Sequence, residues 1–447
     1  MAGRRKREEP WEEVVARLDD DAARCLLIGA CERSEDVARA VRLAAADSSE
    51  RLSVLKGEID RGLRTRRYLG YRESGAWAVD ASPVVEALES ATASEPSREL
   101  VVLLERAVGH VVKVILRADD SDGMIGDLVG RLLDLHERAC DAGVADPMAL
   151  AKWMIRFNFD DQDFFAADPV RYAAALGDDG LATFRWEVAK RAADSSSFAA
   201  KYALERLAVA DGDVDRIVSL VGGDLSSPHQ FIQVAEAMGE IGRDDDLLAW
   251  ARRGIETTTG WQVARLFDLF ARVLDERGDV AGLVALRREH HERMPSSSTY
   301  ATLKAAALAI GRWQDEIAPA RAVLAERDRG GLVDALLADG DSAAAWKIAH
   351  TDPDWEVGEH RWQRLAEARE QSDPVAAFRV YLRLVDSALL TAGRSQYQLA
   401  ARRLKAARRA AASARLEVDF ETYVAALRER HRRRPTFISI LNDAGLP

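Results

Sequence analysis

Residues 115–140 read "ILRADDSDGMIGDLVGRLLDLHERAC". Asp119, Asp120 and Asp122 crowd before Gly123, and His136, Glu137 and Cys140 close a helix-like run. Two metal chemistries use such residue types. A calcium loop of the EF-hand kind needs oxygen ligands at positions 1, 3 and 5, Gly at 6 and a bidentate Glu at 12. With Gly123 at position 6, Asp120 and Asp122 fit, but position 1 is Ala118 and position 12 is Val129. The loop therefore reads as a cap: Asp120, Ser121 or Asp122 can accept the free amides that open the next helix.

His136-Glu137-Arg138-Ala139-Cys140 follows the zinc-protease spacing H-E-x-x-H with Cys in the last place. His and Cys four apart share one helix face. The chemistry also needs a second His and a third ligand downstream, and neither is identifiable. Beside Leu132, Leu133 and Leu135, His136 reads as a packed or hydrogen-bonded histidine. His290-His291 reads as a pair on a solvated helix. There is no G-x-x-x-x-G-K-[ST] loop, no G-x-G-x-x-G after a strand, and no Ser/His/Asp set assignable by spacing. The expectation is no enzyme, no catalytic residue, no metal and no cofactor.

The elements that would position these residues are helical. In 447 residues, 48% are apolar and 31% charged, and strand-forming runs are nearly absent. Such a chain is too long for one compact core unless its fold is repetitive. From residue 200 onward a unit recurs: "GDVDRIVSLVGG" at Gly212, "GRDDDLLAWARR" at Gly242, "GDVAGLVALRRE" at Gly278, "GRWQDEIAPARA" at Gly311, "GDSAAAWKIAHT" at Gly340 and "SDPVAAFRVYLR" at Ser372. Gly ends one helix and Asp caps the next. A period near 33 residues fits helix pairs stacked into a solenoid. Consensus tetratricopeptide side chains are mostly missing. The predicted fold is thus all-α: an irregular TPR-like helical-repeat solenoid over 196–447, preceded by an N-terminal helical region over 1–195. Earlier candidate helices lie at 11–28, 34–46, 48–65, 82–91, 97–117 and 124–141. Trp250, Trp346 and Phe378 recur after the turns and read as packing residues.

Three cysteines, Cys25, Cys31 and Cys140, show no pairing pattern, which suits a reduced, cytoplasmic chain. The start "MAGRRKREEP" lacks an apolar core and does not read as a secretory signal. No apolar run reaches the length of a membrane span.

The net charge of −11 is uneven: residues 394–434 hold 12 Lys/Arg and 4 Asp/Glu, a balance of +8 in an otherwise acidic chain. In "YQLAARRLKAARRAAASARL", Tyr397, Ala400, Leu404, Ala407 and Ala411 form a stripe to be buried. Arg402, Lys405 and Arg409 fall elsewhere on the helix. "RERHRRRP" adds Arg428, Arg430, Arg432, Arg433 and Arg434. Pro435 should end that helix, and Phe437, Ile438, Ile440 and Leu441 should dock a short last one. These eight cations are the candidate contacts for an acidic partner. Pairing with the chain's own acids is the competing reading.

"ADDSDGMIGDLVGRLLDLHERACDAGVADPMALAKWMIRFNFDDQDFF" (118–165) and "YVAALRERHRRRPTFISILNDAGLP" (423–447) are similar to the large helical region of bacterial SWIM zinc-finger proteins and related actinobacterial proteins of unknown function. "GLVDALLADGDSAAAWKIA" (331–349) and "WQRLAEAREQSDPVAAFRVYLRLVDSAL" (362–389) also fit. The resemblance spans roughly 68–447 and implies a helical region. A SWIM finger needs C-x-C and C-x-H, and this chain has neither, so the resemblance implies no zinc site here. A non-enzymatic scaffold for protein–protein interaction is the leading expectation. Nucleic-acid association through 394–434, without sequence specificity, is the alternative.

Overall fold

The computed structural model describes residues 15, 17–34, 37, 38, 41, 42, 48–194 and 198–447. The basic start and the boundary near 195 lie outside them, as do parts of the helices expected at 11–28 and 34–46. Among the described residues the chain is all helical, with twenty-two α-helices and no strand. One isolated bridge joins Leu69 to Ala118.

The chain groups into two compact units, one running to Asp224 with Glu240–Gly242, the other comprising Leu225–Gly239 and Arg243–Pro447. The first holds α1 (Asp20–Arg33), α2 (Ser48–Gly62), α3 (Tyr71–Ser94), α4 (Arg98–Ile115), α5 (Met124–Ala139), α6 (Pro147–Arg156), α7 (Ala173–Asp194), α8 (Phe198–Ala210) and α9 (Val214–Val221). Its core runs from Leu55 to Leu207. The helix expected at 82–91 is the far half of α3, which continues through Pro83. The amide that Pro83 lacks would have met the carbonyl of Val79, an exposed residue, so water can satisfy that carbonyl instead.

The second unit continues with α10 (Pro228–Glu240), α11 (Asp244–Thr257), α12 (Val263–Glu276), α13 (Val280–Arg293), α14 (Ser297–Ala309), α15 (Trp313–Arg327) and α16 (Arg329–Ala338). It ends with α17 (Ser342–Ala349), α18 (Glu359–Arg369), α19 (Pro374–Ala388), α20 (Arg394–Ala414), α21 (Glu417–Arg430) and α22 (Pro435–Asp443). From α13 to α16 each helix packs on its neighbour in sequence, and α13 with α15, and α14 with α16, also pack next-but-one. This is the packing of an irregular TPR-like helical-repeat solenoid.

The recurrent Gly/Asp turn is one device used repeatedly. Gly212, Gly242, Gly278, Gly311 and Gly340 all take φ between 64° and 80°. After each, the next amide reaches back five residues, as from Asp279 to Leu274 (2.9 Å) and Asp341 to Leu336 (2.9 Å). That left-handed closure favours glycine. Asp213, Asp279, Asp341 and Asp373 then cap the following helices by accepting amides three residues on.

Phe378 is buried, while Trp250 and Trp346 are half-buried, with Arg253 and Arg369 over their indole rings at 5.2 Å each. Helices α10, α11 and α12 meet at Gly254. A Cβ there would lie 2.7 Å from both Leu266 Cδ1 and Phe231 Cβ. Gly254→Ala is expected to lower stability by about 1–3 kcal/mol through overpacking, read as a drop in unfolding midpoint. An unchanged midpoint would mean the helices can part without cost.

Candidate functional site

The basic end is built on α20. Its buried stripe is as the spacing implies: Tyr397, Ala400, Leu404, Ala407 and Ala411 are all 8% exposed or less. The other side carries Arg394, Arg402, Lys405, Arg408 and Arg409, all exposed, and α20 contains no acidic residue. Fifteen residues separate Arg394 from Arg409, a stripe of about 22 Å at the helical rise.

The eight candidate cations divide by what they touch. Arg402, Lys405 and Arg433 are exposed, with no hydrogen-bond or ion-pair partner among the described residues. Arg409 meets Glu370 at 3.1 Å, Arg430 meets Asp386 at 3.1 Å, and Arg432 pairs with Glu429 within its own turn. Arg428 donates to the Leu446 carbonyl (2.9 Å) and to a backbone oxygen of Pro447, the last residue (2.5 Å). Arg434 donates to the Leu389 carbonyl at 3.0 Å and lies over Tyr397. Arg434 is held by neutral groups and keeps an uncompensated charge. Pairs this exposed contribute about 0–1 kcal/mol, so a partner can take over Arg409, Arg430 and Arg432 at little cost.

Helix α21 stops at Arg430, five residues ahead of Pro435, and Pro435 instead occupies the first turn of α22. There its missing amide costs nothing. Phe437 and Leu441 are fully buried and Ile438 and Ile440 partly so, docking α22 onto α20. The arginines of the turn are therefore carried by packed structure at both ends.

One cation here eluded sequence reasoning. Arg403, on the same helix, is buried, donating to the Leu384 carbonyl (2.6 Å) and to Glu359 (2.7 Å). Its position beside Leu404 was the only signal.

The other stretch with chemical potential is closed. Asp120 accepts the amides of Ile125 and Gly126, both at 2.9 Å, so it caps α5 as its position suggests. His136 is fully buried, with Nδ1 2.9 Å from the Tyr172 hydroxyl and its ring against Trp153. Its Nε2 lies 3.8 Å from Cys140 Sγ. Burial, then the nearby Glu105, pushes the Cys140 thiol up to about 12. Burial also raises Tyr172 well above its ordinary value. A thiol so protonated is neither nucleophile nor ready metal ligand. Burial raises Glu137 too, against the lowering effect of Arg171. Among the described residues no three His, Cys, Asp or Glu side chains are placed to share a metal ion.

His290 and His291 correct the expectation of a solvated pair: they are 5% and 1% exposed. His291 bridges Thr299 and the Ala320 carbonyl, both at 3.0 Å, while His290 stacks on Phe267. No family model and no curated protein matches this chain. No helix among the described residues is long and apolar enough to cross a membrane.

Proposed function

We propose that the protein is a non-enzymatic helical-repeat scaffold that binds an acidic segment of a protein partner along α20. The observation that carries this is the exposed stripe Arg394, Arg402, Lys405, Arg408 and Arg409, in which only Arg409 meets a carboxylate. Cations on one rigid face attract and orient an oppositely charged segment. Phosphates would be attracted too. The exposed side of α20 presents no aromatic ring for base stacking, so a nucleic acid would be held by its backbone alone. Kinship with the helical region of SWIM proteins belongs to the same proposal and brings no zinc ligands.

The test uses a labelled peptide of alternating Glu and Leu, its Gln counterpart, and a duplex DNA. Arg402→Gln, Lys405→Gln and Arg433→Gln together are expected to weaken the Glu peptide about tenfold or more. The melting temperature should hold, because exposed substitutions shift stability by about 0.5 kcal/mol or less. Equal binding of the Gln peptide, or an unaffected variant, defeats the reading. Tighter DNA binding, with log K falling steeply with log salt, would replace it with the nucleic-acid reading.

A further inference from the structure

A cavity of about 450 Å³ is lined by the loop after α17 and by residues of α18 and α19, among them Trp355, Val357, Trp362 and Leu384. Arg383 lines it. The central carbon of its guanidinium lies 4.3 Å from the centroid of the Trp362 ring. That ring is fixed edge-on by Trp346 (5.8 Å) and His350 (5.0 Å). Stacking uses the face of a guanidinium and leaves its N–H donors in plane, free for a forked acceptor.

Nearby arginines have such an acceptor. Arg329 holds Asp352 at 2.8 Å, Arg403 holds Glu359 at 2.7 Å, and Arg361 and Arg364 share Asp334. Arg383 has no hydrogen-bond or carboxylate partner among the described residues. The Arg383 residue is itself exposed, and the one influence on its ionisation is a partial withdrawal from water, which acts downward. A second feature favours negative charge in the same place. The residue capping the start of α18 is Gly358, which offers no side chain to the first-turn amides, and Gly358 lines the cavity. Of the acids around it, Asp352 and Glu359 are neutralised by their arginines, and Glu356 is exposed at the rim.

We infer that this cavity is a binding site for a carboxylate carried on an apolar body, the carboxylate taken by Arg383 and the body by Trp355, Trp362, Val357 and Leu384. One unpaired cation suits a monoanion better than a doubly charged phosphate. The site stands apart from the exposed face of α20 and does not depend on it. The carboxylate can come from a free small acid or from an acidic side chain within a peptide, and the two sources are separable.

The probes are N-acetyl-phenylalanine, its uncharged amide N-acetyl-phenylalaninamide, and the blocked peptide acetyl-Ala-Leu-Glu-Leu-Ala-amide, each followed by ligand-observed saturation-transfer NMR. Binding of at least one carboxylate probe and not of the amide is expected. The first alone marks a free acid, and the peptide marks an internal side chain. Arg383→Gln, checked for an unchanged melting temperature, should weaken the binding probe about tenfold or more. Arg383→Lys, which keeps charge but loses the fork, should fall between. Glu356→Gln should tighten binding by removing a like charge. Should neither acid bind, the amide bind equally well, or Arg383→Gln bind like the wild type, the assignment is overturned.

Discussion

Asp339→Ala is expected to destabilise the second unit by about 3–5 kcal/mol, the range for removing one partner of a buried charge cluster. The Asp339 side chain is 8% exposed at the end of α16. Its carboxylate accepts from the Tyr300 hydroxyl at 2.6 Å, Lys304 Nζ at 2.5 Å and Arg321 Nη2 at 2.7 Å. These donors come from α14 and α15, so one carboxylate ties three helices. Burial alone would raise its pKa, but Lys304, Tyr300 and Arg321 outweigh that and hold it below the ordinary value. Its stabilising charge is therefore present at neutral pH and is lost only as the pH falls through that depressed value. The alanine variant leaves two cations and a hydroxyl facing one another. Lys304→Met with Asp339→Ala should recover part of the loss, because it removes one of the stranded charges. A midpoint unchanged by Asp339→Ala would show that water replaces the carboxylate freely.

What the sequence discloses of this fold depends on how far apart the cooperating residues lie. The turns at Gly212, Gly278 and Gly340 were legible because their parts are adjacent: a glycine in the left-handed region, then an aspartate accepting from three residues on. Asp120 as a cap was legible for the same reason. The buried stripe of α20 was legible from the helical period alone. Arg403 was not, because what buries it is Glu359 and Leu384, 44 and 19 residues away. Nor was Arg383 over Trp362, which joins two helices through a contact with no fixed spacing. The π-helical turn Phe157–Asp161 and the loop after it are similar cases. Asn158 bonds both ways with the backbone of Ala167, and Gln162 holds Phe157, Phe164 and Phe165. In the fold the side-chain amides of Asn158 and Gln162 satisfy backbone groups that would otherwise be buried without partners. The same limit explains the histidine pair. The residues flanking His290 and His291 are polar, and the apolar surface that buries His290 belongs to Phe267 on α12.

That burial gives the second large effect, a dependence of stability on pH through His290. Both ring nitrogens are buried without a hydrogen-bond partner, and the ring lies parallel to Phe267 at 4.3 Å. Removal from water disfavours the imidazolium, and Arg287 adds to this while Asp268 opposes it, so the pKa drops from 6.5 to about 4. The sign follows from which state binds the proton. Below pH 6.5 the unfolded chain takes it up and the native chain does not, until the pH reaches about 4. Stability therefore falls as pH drops across that window, by about 2 kcal/mol at pH 5 and about 3 kcal/mol once the window is crossed. Other groups titrate in the same range, so the measurement is a difference. His290→Leu keeps an apolar side chain of similar size against Phe267 and has nothing to protonate. Its denaturant midpoint should respond less to a change from pH 7.5 to pH 5 than that of the wild type, the gap amounting to about 2 kcal/mol. Parallel pH responses would show that native His290 takes up its proton as readily as the unfolded chain does, and that the stacked, unbonded ring is not what makes this unit sensitive to acid.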